Sequence, residues 1–306
     1  MSSQVNNQLP DVAVESAEDI EFGVDFVGME SLDVILDVRC SEVARVAAKA
    51  NVGVNLLPNS SRGIHMSRLF LALQEHAGAA SISADWFKNL LPNLVESQGG
   101  VSDSAEVELC FDYLSKQKAL VSETYGLRSY PIALKAQLVK GKFQFAVKME
   151  IVYSSTCPCS AALSRAWIQK QFSNAFPKND SEKVEWDQVY QWLSKESSIA
   201  ATPHSQRSVA EVELQVSDSG VMKFPQWISL VEENLKTAVQ SSVKRVDEQA
   251  FAVQNASQLM FCEDAGRLFK SVFDPIEDVH SYAVKAEHQE SLHPHNAVSI
   301  VRGSRQ

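Results

Sequence analysis

The sequence predicts an α+β fold of two fused modules, each an antiparallel sheet with helices on one face. Three observations predict it. Segments such as AEVELCFDYLSK (105–116) and KFQFAVKMEIVYSS (142–155) alternate apolar and polar residues, as half-buried antiparallel strands do. Other segments space their apolar residues three and four apart, which is the helical period. The order runs strands, helices, strands, and then a strand, helices and strands again.

Taken in order, residues 1–22 are polar and acidic and are expected to form a flexible tail. The first module spans 23–158. FVGMESLDVILDV (26–38) is rich in apolar and β-branched residues. SRLFLALQEHA (67–77) and SADWFKNLLPNLVES (83–97) read as helices, the second interrupted at Pro92. Three long strands follow, and Gly141 marks the hairpin turn between the last two. Residues 159–200 form a helical insertion, two helices around Pro177-Lys178-Asn179-Asp180, whose Trp and Phe content predicts packing. The second module spans 201–306. It holds a strand over 206–218 with Gly220 in its turn, an amphipathic helix over 224–243, another helix within 247–272, and strands over 278–303.

The 306 residues carry a formal net charge of -10, and 45% are hydrophobic. That balance argues against a nucleic-acid partner, which needs a broad basic face. No apolar run reaches the ~18–20 residues of a membrane span, and the N-terminus has no signal core. A cytoplasmic protein is expected. Five cysteines without an export signal argue against a disulfide framework. Cys40, Cys110 and Cys262 read as small core residues.

The remaining cysteines sit in Ser155-Thr156-Cys157-Pro158-Cys159-Ser160, after a long strand. In extended backbone, i and i+2 project to one side, so a thiolate there could hold a metal with the second thiol beside it; an incidental pair in a turn is the alternative. His204, in TPHSQRS before a strand, is either a ligand or a surface histidine. Glu248 closes one amphipathic helix and Glu263 opens another, where acids commonly serve as dipole partners. Glu287-His288-Gln289-Glu290-Ser291-Leu292-His293-Pro294-His295 packs three of the seven histidines with two glutamates, a composition suited to proton transfer near neutral pH. Pro58 to Arg68, with Arg62, His65, Ser67 and Arg68 ahead of a helix, suits anion binding or a capped helix start.

RGIHMSRL, STCPCS, HSQRS, FCED and EHQESLHPHNAV, in that order, resemble the prokaryotic type IB GTP cyclohydrolases over most of residues 25–303. The chain departs from shorter members in the insertion before His204 and in its N-terminal tail. The resemblance implies the tunnelling fold (T-fold), with subunits assembled into barrels as a homotetramer and sites at subunit interfaces. It implies that GTP and water become 7,8-dihydroneopterin triphosphate and formate, at the head of folate and pterin biosynthesis. By motif, Cys157, His204 and Glu248 correspond to ligands of one divalent metal per site, zinc or else iron or manganese. Cys159, Glu290 and His293 correspond to catalytic groups. Glu263 corresponds to the guanine anchor, and Arg62, His65, Ser67, Arg68 and Arg207 are candidates for the triphosphate. Alternatives are another T-fold enzyme of purines or pterins, or a metal- or purine-binding relative without catalysis. A zinc deaminase reading of His288-Gln289-Glu290 lacks the P-C-x-x-C that must follow it.

Overall fold

The structure is a computed structural model that describes residues 21–178 and 183–305. Eight strands form one sheet in chain order, every neighbouring pair antiparallel. They are β1 (Val24–Asp37), β2 (Arg45–Leu56), β3 (Ser104–Lys118), β4 (Tyr125–Val139), β5 (Lys142–Thr156), β6 (Ser205–Val216), β7 (Val279–His288) and β8 (Ala297–Ser304). Helices α1 (Met66–Ala79) and α2 (Ala84–Glu96) join β2 to β3. Between β5 and β6 lie α3 (Pro158–Ala175) and α4 (Trp186–Leu193). Helices α5 (Phe224–Leu235), α6 (Arg245–Ser257) and α7 (Cys262–Phe273) join β6 to β7.

The period-2 alternation assigns each strand's faces. Ala48, Phe111, Ile132, Met149, Val212 and Val284 stand in one row across six strands, and all are buried. Leu69 and Leu73 of α1, Phe87 and Leu90 of α2, Val231 of α5 and Phe269 of α7 belong to the same core. The opposite face carries charged side chains paired across strands, Lys135 with Glu106 at 2.7 Å and Lys285 with Glu211 at 2.9 Å. Lys140 and Gly141, both at positive φ (48° and 79°), turn β4 into β5, and the pairing of β5 with β6 carries the sheet unbroken from the first module into the second.

Several local expectations change. Strand β2 was not legible, because RVAAKANVGVNL alternates through alanines, whose burial contrast is weak. Helix α2 continues through Pro92, held by Trp86, Phe87, Leu90, Leu91 and Leu94 in the core. The helix expected over 224–243 ends at Lys236 in the left-handed region (φ 63°). Beyond it, Ser154 N donates to Thr237 O and Val239 N to Val152 O, so this segment runs beside β5 instead. The helix expected within 247–272 is two, because α6 stops before the Leu259 bridge to Thr156. The insertion forms its two helices, but α4 buries no residue and α3 only Ala161. Its aromatics pack on one another, Phe172 and Phe176 against Trp192 and Trp186 on Tyr190. The expected tail lies outside the described residues up to residue 20, as do residues 179–182 of the insertion. No helix among the described residues is long and apolar enough to cross a membrane.

Candidate active site

Antiparallel pairing sorts the chemical residues to two ends of the sheet. The end of β5, the start of β6, the end of β7 and the start of β8 share one end. Cys157 is the N-cap of α3, directly after β5, and its amide donates to His204 O at 3.2 Å. His204 N in turn donates to Ser160 Oγ at 3.1 Å. Gln289 N donates to Arg207 O at 3.1 Å, which brings the loop after β7 alongside. That loop places Glu290 Oε2 at 3.8 Å from His204 Nδ1. The same carboxylate oxygen is buried and accepts no hydrogen bond, as is Thr156 Oγ1 one residue before Cys157.

Helix α7 begins at the same end, because Met260 N donates to Thr156 O at 3.1 Å. Glu263 lies exposed in its first turn, where the helix dipole favours a carboxylate. His293 is exposed on the β7–β8 loop with its ring stacked on His295, centroids 5.1 Å apart. Behind them His288 is buried, its Nε2 3.0 Å from Tyr153 Oη. Burial holds its pKa below the ordinary histidine value.

Glu248 opens α6, in its first turn, and does not close the preceding helix as expected. With Ser154, Ser205, Arg207, Gln240 and Phe251 it lines a cavity of about 440 Å³ beside β5 and β6. The neighbouring Asp247 fixes this helix start, accepting from Val121 N and Ser122 N at 2.8 Å, Ser122 Oγ at 2.6 Å and Lys244 N at 2.8 Å. Those donors hold its carboxyl well below the usual carboxylate range. Arg128 adds a second brace, donating from Nη1 to Val239 O at 3.1 Å and to Glu232 at 2.9 Å. The β3–β4 hairpin thereby positions the helix that carries Glu248.

The two cysteines do not both lie in extended backbone. Cys157 is half-buried at φ −67°, ψ 122°, while Cys159 is exposed inside the first turn of α3. The structure thus places Cys157, His204, Glu290, Glu263, Arg207 and Glu248 at one end of the sheet, where His204 and Glu290 pair side chain to side chain and Cys157 meets His204 through its backbone. Among the described residues no three His, Cys, Asp or Glu side chains surround a common point. The donor types nonetheless suit a divalent cation: a half-buried thiol at Cys157, an imidazole at His204 and the carboxylate of Glu248, with Glu290 Oε2 buried beside them without a hydrogen bond.

Arg62, His65, Ser67 and Arg68 are elsewhere. Their loop follows β2, and Val54 stands in the row of Ala105, Leu138 and Phe143. Fourteen residues of chain separate Phe143 from Cys157, about 45 Å at about 3.3 Å per residue. One nucleotide cannot span both ends of a single chain. There Arg68 donates to Ser97 O at 2.6 Å, and His65 N donates to Gln98 Oε1 at 2.8 Å.

A model of the type I GTP cyclohydrolase FolE2 family matches residues 9–299. The chain belongs to that family. It is 43% identical over 296 residues to GTP cyclohydrolase FolE2 of Pseudoalteromonas atlantica, with 95% of each chain covered. It is 39% identical over 294 residues to that of Hydrogenovibrio crunogenus, covering 96% of this chain and 94% of the relative. Among solved structures, uricase from Arthrobacter globiformis aligns with a TM-score of 0.51 over 94% of this chain and 96% of its own, at 8% identity. That likeness shows the fold alone, shared by a T-fold protein and this FolE2 family member.

Sequence reasoning passed over Ser155, Gln206, Ser208 and Asp247. The first three had a signal: they are polar residues at positions where the strand alternation calls for apolar ones.

Proposed function

We propose that this FolE2 family member is a GTP cyclohydrolase of the type IB kind, acting with a divalent metal held by Cys157, His204 and Glu248. GTP and water give 7,8-dihydroneopterin triphosphate and formate. Family membership supports the reaction. The observation that supports the siting is the hydrogen bond from Cys157 N to His204 O, beside a cavity that Glu248 lines with Ser205 and Arg207. A bound divalent metal would supply water activation near neutral pH.

The chain's own residues do the rest. Glu263 accepts from the N1–H and 2-amino groups of guanine, and adenine lacks that donor pair. Glu290, His293 and Cys159 hold and move protons as the ring opens, formate leaves and the pterin closes. Arg207 meets the phosphates from the same chain. Arg62, His65, Ser67 and Arg68 are too distant to do so, which supports a site completed by a second copy, in a homotetramer whose sheets close into barrels. The reading divides the chain into a tail (1–22), a first module (23–158), an insertion (159–200) and a second module (201–306), with no nucleic-acid partner. It places the protein in the cytoplasm, where free thiols persist.

The test reloads metal-stripped protein separately with zinc, manganese and iron, and measures formate and pterin together. Metal-dependent appearance of both is expected. Formate without pterin would indicate a hydrolase that stops at ring opening, and neither product from folded protein would overturn the reading.

A further inference from the structure

A histidine can offer only one ring nitrogen to a cation, and the hydrogen bond at the other nitrogen decides which. His204 Nδ1 lies 3.1 Å from Gln206 Oε1. The far side of that amide is already committed: Gln206 Nε2 donates to Ser155 Oγ at 2.9 Å. Ser155 Oγ is 2.8 Å from Ser208 Oγ, so its own hydrogen has a partner as well. With its NH2 engaged, the amide presents only its carbonyl oxygen to the imidazole. That oxygen can only accept, so Nδ1 carries the proton and Nε2 is left with its lone pair.

The placement of these residues is costly unless it serves such a purpose. Ser155, Gln206 and Ser208 are buried, on the face where Ala210, Val212 and Leu214 of β6 meet the core. Polar groups in such positions must be hydrogen-bonded to be tolerated. They occur together in the last rows of β5 and the first of β6, and their chain of bonds ends on His204. Glu290 Oε2 stands 3.8 Å from the same Nδ1, beyond hydrogen-bonding distance. Without the amide, the ring would be free to turn toward that carboxylate.

We propose that Gln206, backed by Ser155 and Ser208, is a positioning residue that fixes the tautomer of His204 and presents its Nε2 to the metal. The proposal rests on His204 being a ligand, and the experiment separates the two. Full-length Gln206→Leu, Gln206→Glu, Ser155→Ala and His204→Ala proteins are compared with the parent. Zinc affinity is measured by chelator competition, the visible spectrum of the cobalt-loaded form is recorded, and apo-protein thermal unfolding is followed. Gln206→Leu should weaken zinc binding about 10–100-fold, the range expected for loss of a residue that orients a metal ligand. Its cobalt spectrum should change as well. Gln206→Glu keeps an acceptor at the same place and should recover most of the affinity. Ser155→Ala frees the amide to turn and should show a smaller loss of the same sign. This variant carries the test if Gln206→Leu does not fold.

Undiminished zinc affinity in folded Gln206→Leu, or in Ser155→Ala where that variant stands in, overturns the proposal. So does a lower unfolding temperature with no change in affinity or spectrum, which is the mark of a merely structural role. His204→Ala with full zinc affinity would instead overturn the reading of His204 as a ligand.

Discussion

At the end of the sheet where β2 leads into α1, polar groups are answered within the chain. Asn55 Oδ1 accepts from Asp103 N and Ser104 N, its Nδ2 donates to Asp103, and Ser102 Oγ donates to Asn55 O. Gln98 holds His65, and Ser97 holds Arg68. At the opposite end, where β5 and β7 finish and β6 begins, Thr156 Oγ1 and Glu290 Oε2 are buried without hydrogen bonds, although the loops around them are tightly tied. A buried oxygen without a partner costs about 1–3 kcal/mol. The contrast separates an end that holds a loop in shape from an end that keeps acceptors available for something from outside the chain.

The largest effect that would break this comparison is at Cys157. Cys157→Ala should lower turnover by roughly 10³-fold or more, since a bound metal supplies several kcal/mol, and should lower metal content in parallel. Arg68→Ala should leave metal content intact and act on GTP affinity instead. Equal metal content in both proteins would erase the distinction between the two ends.

The next effect sharpens it. If the two ends serve one site across two copies, Cys157→Ala and Arg68→Ala proteins, each impaired alone, should regain activity when unfolded and refolded together. The mixture contains sites with an intact Cys157 from one copy and an intact Arg68 from the other. A mixture no more active than the sum of its parts would place the arginine loop outside the site.

The smallest effect is on stability with pH. Burial lowers the pKa of His288 from its ordinary 6.5. Below that value the unfolded chain binds the proton first, so stability is complete above about pH 6.5 and declines as pH falls from there toward the folded-state pKa. His288→Gln should flatten this part of the profile of unfolding temperature against pH. An unchanged slope would mean that another group at this sheet end titrates.

The sequence offered the candidate residues one motif at a time, and the fold decided where each of them lies. Cys157, His204, Glu263 and Glu290 fall within motifs long enough to stand out, and all four are placed at one end of the sheet. Glu248 was legible as an acid but not in its setting, because the start of α6 is fixed by Asp247 reaching residues 121 and 122 of another hairpin. The distance between the Arg62–Arg68 loop and Cys157 was not legible at all. Motif order along a chain carries no information about which strand ends meet.

The sequence by itself determined the strands with strong alternation and the helices with an apolar stripe. These depend on periodicities within a few residues. The tertiary structure alone decided that β2 is a strand, that the segment after Lys236 leaves its helix to lie along β5, and that Gln206 faces His204. Each of those outcomes is set by pairing and packing between distant segments, whose summed energies outweigh weak local preference.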